Sequence, residues 1–372
     1  MHVGLNLVFL VPGETGGMET YARELLPRVN ALDGVRLTVF INREAADTGG
    51  PWADLPHEVI PVYARNRLEW VRGEQQHLPR LASRAGCDLV HSLASTAPLG
   101  GPVPRVTTIH DLNYKLVPDA HFGARGLGMR LLVPAAAWRS RRIIVDAEST
   151  RRDLAAHLRV RPGKVDVVPL AAAPPAAVPA DPALLRARLE IPERPLVLTV
   201  SAKRPHKNLA RLVRAVAAIS DERRPALVIP GYSTPHEHEL RQLAVELGID
   251  RQVLLPGWLP PEDLEGLYAD AACLVFPSLY EGFGLPVLEA MVRGVPVACS
   301  DRSSLPEVAG RAALLFNPED VTAIRVAIER LLGDAQFADQ LRKAGREHAA
   351  TFSWRHTAER TAASYERALR DG

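Results

Sequence analysis

Short apolar runs alternate along the whole chain with longer stretches whose apolar positions recur every three or four residues. That alternation predicts strands and helices in turn. In the first half, Val3–Val11, Val35–Ile41, Glu58–Val62, Leu89–His91, Val106–Ile109, Arg142–Val145 and Lys164–Val168 read as strands, and Glu19–Leu32 reads as a helix. The pattern breaks at Pro169–Pro182, an alanine- and proline-rich strap, and then restarts. Leu196–Ser201, Ala226–Pro230, Val253–Leu255, Cys273–Pro277, Val295–Ser300 and Ala313–Phe316 read as strands. Asn208–Ile219, His236–Leu247, Glu262–Asp270, Leu285–Arg293 and Val321–Leu332 read as helices between them. Strands alternating with helices predict parallel α/β architecture.

The interruption divides the chain into residues 1–170, a linker over 171–190 and a second unit over 191–354. At 372 residues the chain has room for two domains. In parallel sheets of this kind ligands bind beyond the carboxyl ends of the strands, so chemistry is expected in loops that follow strands. Two such units facing each other would form a cleft.

Composition adds exclusions. A hydrophobic share of 47% with 24% charged residues is that of an ordinary globular protein, not a disordered one. A net charge of +2 gives no general reason to bind nucleic acid. Cys87, Cys273 and Cys299 are widely spaced, form no CxxC pair and suit reduced, buried thiols in a cytoplasmic protein. Met1–Val11 lacks a basic head and a small-residue cleavage site, and reads as a strand instead of a leader. No apolar run reaches the roughly 18 residues of a membrane span. Of the 45 cationic residues only Lys115, Lys164, Lys203, Lys207 and Lys343 are lysines, so two of them four residues apart stand out.

Four strand-end loops carry the candidate chemistry. Pro12–Glu19 contains Gly13, Gly16 and Gly17 ahead of a helix. Such glycines allow close backbone approach and leave helix N–H groups for an anion, although a plain turn would look the same. His110 and Asp111 follow a strand and could meet hydroxyls, or form a helix cap with a hydrogen-bonded histidine. Lys203, Arg204, His206 and Lys207 crowd one loop. They suit a diphosphate better than a merely solvated basic turn. The densest stretch is Phe276–Met291, with Glu281, Gly282, Gly284 and Pro286 leading into a helix that carries Glu289. Side chains lean toward a helix N-terminus, so Glu289 and Glu281 converge there and suit the hydroxyls of a ribose and a sugar. Either glutamate alone would pass for a cap or a salt bridge.

The string Pro277-Ser278-x-x-Glu281-Gly282-Phe283-Gly284-Leu285-Pro286-x-x-Glu289-Ala290-Met291, continued by Gly294, Pro296-Val297 and Ser300–Gly310, resembles the signature of family 4 retaining glycosyltransferases. Pro205-x-Lys207-Asn208, Leu255-Pro256-Gly257-Trp258, Leu267-Tyr268, His110-Asp111 and Gly16-Gly17-Met18-Glu19 support the resemblance over nearly the full chain.

The resemblance implies a GT-B fold: two Rossmann-like domains facing across a deep cleft, with a C-terminal helix near 355–372 crossing back onto the first. It implies transfer of a hexosyl unit, with retention, from a nucleoside-diphosphate sugar. GDP-mannose or a UDP-sugar would be the donor, and a hydroxyl of a glycan, a lipid-linked or a small-molecule compound the acceptor. Lys207 would hold the diphosphate. Many members carry Gly-Arg where this chain has Ser201-Ala202, so Lys203, Arg204 or His206 is expected to replace that arginine.

By the same resemblance Glu289 would take the ribose and Glu281 the donor sugar, beside Gly282, Phe283, Gly284 and Leu285. Gly257 and Leu259 would seat the base, and Gly16 and Gly17 the diphosphate or acceptor. His110 and Asp111 would touch sugar or acceptor. No nucleophile is assigned. With no Asp-x-Asp in the sequence, neither a metal nor another cofactor is expected. A phosphorylase or hydrolase on the same fold, and a non-catalytic sugar-nucleotide binder, are the competing readings. Phe122–Arg142, rich in Leu, Met, Trp and Arg, is expected to face the core with an arginine-coated outer side. A peripheral helix on the inner membrane face is the alternative.

Overall fold

The computed structural model describes residues 1–117, 124–173, 175 and 177–370. It divides into two compact units. One comprises Met1–Leu116, His121–Leu170 and Ser353–Gly372, and the other Val117–Ala120 and Ala171–Phe352.

The first unit is built on β1 (His2–Leu7), β2 (Arg36–Ile41), β3 (His57–Val59), β4 (Leu89–Ser92), β5 (Arg105–Thr108), β6 (Arg142–Val145) and β7 (Val165–Val167). They form one sheet in the order β3-β2-β1-β4-β5-β6-β7, parallel throughout. The second unit holds β8 (Leu196–Leu198), β9 (Ala226–Val228), β10 (Val253–Leu254), β11 (Ala271–Phe276), β12 (Val297–Ser300) and β13 (Leu314–Phe316). Their order is β10-β9-β8-β11-β12-β13, again parallel. In both sheets the strand order reverses at one place, between β1 and β4 and between β8 and β11. That is where a doubly wound sheet opens for a ligand.

The central strands are buried on both faces, which is why they read as continuous apolar runs. In the second unit Val197, Leu227, Val275 and Ala298 meet helix residues Leu212, Val216 and Ile328. The helix Leu209–Ala217 turns Leu209, Leu212, Val213 and Val216 inward and leaves Arg214 outside, as its apolar spacing dictates.

After Phe352 the chain returns to the first unit. The helix Trp354–Arg370 lies against the helix Gly17–Asn30. Thr357 Oγ1 donates to the Pro169 carbonyl (2.7 Å), and Tyr365 and His91 Nδ1 are hydrogen-bonded (2.8 Å). Ser364 donates to Asp166 (2.6 Å), which also pairs with Arg142 (2.6 Å) and Arg367 (3.1 Å).

Two expectations change, and a third gains a detail. The first strand ends at Leu7, not Val11, because Asn6 Oδ1 captures the Val8 N–H and Leu10 N turns back to the Leu7 carbonyl. The strap is not free as far as residue 190. Asp181 caps a helix Pro182–Arg188 that packs on the helix Pro261–Asp270, with Arg186 paired to Asp270 at 2.8 Å. The helix Ala124–Arg139 buries Val133, Ala136 and Ala137, yet its outer side exposes Leu131 and Trp138 beside Arg130 and Arg139. Residues 118–123, which include the start of that segment, lie outside the described residues, as do Pro174 and Ala176 of the strap. Among the described residues no helix is long and apolar enough to cross a membrane.

Candidate functional site

Three of the four loops singled out from the sequence, those carrying Gly16, Lys207 and Glu281, leave the strands that flank the two order reversals.

In the second unit, the loop after β8 closes in a single 3-10 turn, Pro205–Lys207. Asn208 follows in the left-handed region (φ 60°) and opens the helix Leu209–Ala217. Asparagine tolerates that conformation. Its side-chain amide also donates to the carbonyls of Pro277 (3.0 Å) and Pro318 (2.7 Å), locking the lysine loop to its neighbours. The Leu279 N–H donates to the His206 carbonyl (2.9 Å), a second tie between the loops after β8 and β11. So positioned, Lys207 Nζ lies 2.6 Å from Glu281 Oε1 and 5.7 Å from the Phe276 ring centroid. Both members of the pair keep part of their surface open, 18% and 12%.

Gly284 precedes the helix Leu285–Val292 with φ 111°, and a Cβ there would lie 2.6 Å from Leu305 Cδ2. Only glycine satisfies both the angle and the contact. Ser303 and Ser304 hold this turn from the loop after β12: Ser303 Oγ donates to the Glu281 carbonyl (2.6 Å) and Ser304 Oγ to the Phe283 carbonyl (2.7 Å). Phe283 itself is packed away against Phe352. Glu289 sits one turn into the helix and accepts from Tyr268 OH (3.0 Å). Burial raises its carboxyl above the ordinary value, with Arg293 opposing. Arg293 is held by Glu265 (2.7 Å) and lies over the Tyr268 ring. The second unit thus brings together Lys207, Glu281, the Gly282–Gly284 turn with Leu285 and, one turn on, Glu289. A helix start, a cation and two carboxylates form a set that can hold an anion and several hydroxyls.

Lys203 does not belong to that set. It is fully buried, and its Nζ donates to the carbonyls of Gly231 (2.5 Å) and Pro256 (2.8 Å). Burial pushes its ammonium down to about 8. Lys203 ties the ends of β8, β9 and β10 together and cannot reach a diphosphate. His206 is buried too. Arg204 is half-buried, and its guanidinium has no hydrogen bond or ion pair among the described residues. Of Lys203, Arg204 and His206, it is the one that is not buried.

Gly257 is exposed and Leu259 half-buried in the loop after β10. Between them Trp258 is 65% exposed and stacks on Tyr232 with centroids 4.6 Å apart. The stacked pair, invisible to spacing arguments, leaves Trp258 largely exposed.

In the first unit, Gly16 (φ 59°) ends the glycine loop and Gly17 opens the helix Gly17–Asn30. Glu19 caps the loop by accepting from the Gly13 N–H (2.7 Å). Tyr21, one turn on, meets the edge of His110, with centroids 5.1 Å apart. Both His110 ring nitrogens are engaged, Nδ1 with Asp146 Oδ2 (2.7 Å) and Nε2 with the Leu93 carbonyl (2.9 Å). Asp111 accepts from the Asn113 N–H (2.9 Å) and from its side-chain amide (3.1 Å), and so caps the short helix Asn113–Leu116. Asp146 escaped the sequence reading. The signal was there, since it follows β6 as His110 follows the adjacent β5. Among the described residues no three His, Cys, Asp or Glu side chains gather as a metal ion would need.

With this geometry in place, the relatives can be compared. Residues 183–348 match the family described as glycosyl transferases group 1, and residues 15–172 match glycosyltransferase family 4. The O-antigen chain mannosyltransferase B of Escherichia coli is 31% identical over 266 residues, 70% of each chain. The chain belongs to glycosyltransferase family 4. It is a hexosyltransferase with the GT-B fold of two parallel α/β domains. Sucrose-phosphate synthase from Thermosynechococcus elongatus superposes over the full length of both chains with a TM-score of 0.80 at 22% identity. The Anabaena protein HepE, solved in complex with UDP-glucose, superposes with a TM-score of 0.75 at 19% identity over 98% of this chain and 99% of its own.

Proposed function

We propose that this glycosyltransferase moves a hexosyl unit, with retention and without a metal, from a nucleoside-diphosphate sugar to a hydroxyl of a glycan, lipid-linked or small-molecule acceptor. The observation that carries the reading is the Lys207–Glu281 pair at 2.6 Å, set at the head of the helix that bears Glu289. An incoming diphosphate replaces Glu281 as the partner of the Lys207 ammonium. Glu281 is then released to accept from sugar hydroxyls, and Glu289 from the ribose. Arg204 assists at the phosphates. The enzyme's task is to stabilise charge on the departing diphosphate and to position the acceptor. The exposed Trp258 offers a stacking surface for the base beside Gly257 and Leu259. Mannose is the favoured sugar because the Escherichia coli relative is named a mannosyltransferase. A UDP-sugar remains the second donor, since HepE was solved with one.

The test is product analysis with a panel of GDP- and UDP-sugars and acceptors. The expected result is nucleoside diphosphate released only when acceptor is present, insensitive to chelator. Release without acceptor would make the enzyme a hydrolase. Loss with EDTA and recovery with Mn²⁺ would end the metal-free reading.

A further inference from the structure

Asp146 is 2% exposed at the end of β6. Its Oδ2 accepts from His110 Nδ1, while its Oδ1, also buried, has no partner among the described residues. A carboxylate buried with one partner persists only if that partner neutralises it. The other ring nitrogen of His110 points at the Leu93 carbonyl, which can only accept. A carboxylate on one side and a carbonyl on the other require two N–H donors, and only imidazolium has two.

The surroundings agree. Tyr21, from the helix Gly17–Asn30, presents its ring to His110. His91 on β4 is pushed down to about 3 by burial, with the charge of His110 adding to it, and is therefore neutral. Asp111, next in the chain, favours the charged form. The helix Glu148–Leu158 contributes Thr150, whose Oγ1 donates to the His110 carbonyl at 3.2 Å. Burial opposes the charge on His110, but Asp146 and the Leu93 carbonyl outweigh it, so its pKa lies above the ordinary 6.5.

We propose that Asp146 is a positioning residue that locks His110 as an imidazolium, so that His110 serves transfer as a fixed positive charge and not as a proton donor or acceptor. The inference rests on the proposed transferase reading and on the contact with sugar or acceptor that the family resemblance implies for His110. The 15% of the side chain left open presents a charged ring edge while neither nitrogen is free to exchange a proton. Such a charge suits an anionic or electron-rich group of a bound ligand.

The test combines histidine-labelled NMR titration with kcat and KM against pH for the wild type, Asp146→Asn, Asp146→Glu and His110→Gln. The His110→Gln variant assigns the signal. In the wild type His110 should remain charged through pH 7. In Asp146→Asn it should titrate at least one pH unit lower. That variant should lose about tenfold or more in kcat at pH 8, with less than threefold change in donor KM. The deficit should shrink toward pH 6, and Asp146→Glu should recover most of the loss. A neutral His110 at pH 7 in the wild type, or a deficit in Asp146→Asn that is equal at every pH, would overturn the inference. Wild-type kcat in His110→Gln, with the NMR result intact, would overturn the placement of His110 in the site.

Discussion

At the scale of single residues, the two lysines of one loop have separate fates. Lys207 is held at the mouth of the loop, and Lys203 is sealed beneath it. Their spacing put both in one cluster, because nothing in a sequence shows which side chain turns inward. The difference is measurable in the pH dependence of stability. Lys203 titrates near 8 in the folded chain and near 10.5 when unfolded. Between those values the unfolded state binds more protons, so this residue makes stability rise with pH from about 8 to 10.5. Chemical denaturation across that range should show the rise in the wild type and lose it in Lys203→Met. An identical slope in both would place the ammonium in solvent.

At the scale of elements, most strands and the helices around the glutamate loop were legible, since buried parallel strands write themselves as apolar runs. Pro286 marked a helix start correctly. What escaped depends on partners remote in sequence. Ser303 and Ser304 hold the Glu281 turn, Tyr268 orients Glu289, and Asp146 meets His110 across two strands. Motif strings contained several of these residues without revealing their contacts.

The glycines of the second unit separate in the same way. A Cβ at Gly231 (φ 131°) would lie 2.3 Å from the Ser201 carbonyl oxygen, which is backbone and cannot yield. A Cβ at Gly257 would meet nothing within 4 Å. Gly231→Ala should therefore destabilise the fold by roughly 3 kcal/mol or more. Gly257→Ala should stay within about 0.5 kcal/mol. Equal effects in a denaturant titration would show that the loop packing is misread.

At the scale of the whole molecule, a net charge of +2 says little about the ligand, because the deciding charge is local. Among the forty-five lysines and arginines it is Lys207 that pairs with Glu281 at the head of the helix bearing Glu289. A ligand that binds only the folded second unit should stabilise it by mass action. At a hundredfold excess over Kd the gain is about 2.7 kcal/mol, a rise of roughly 5–10 °C in the melting of a unit this size.

The most direct test of the Lys207 site is calorimetric titration of GDP and UDP into the wild type and into Lys207→Ala. Removing a charge-assisted phosphate contact should weaken the preferred nucleotide roughly 10- to 100-fold, while the variant still melts cooperatively. Unchanged affinity in Lys207→Ala would contradict the assignment of the diphosphate to this loop.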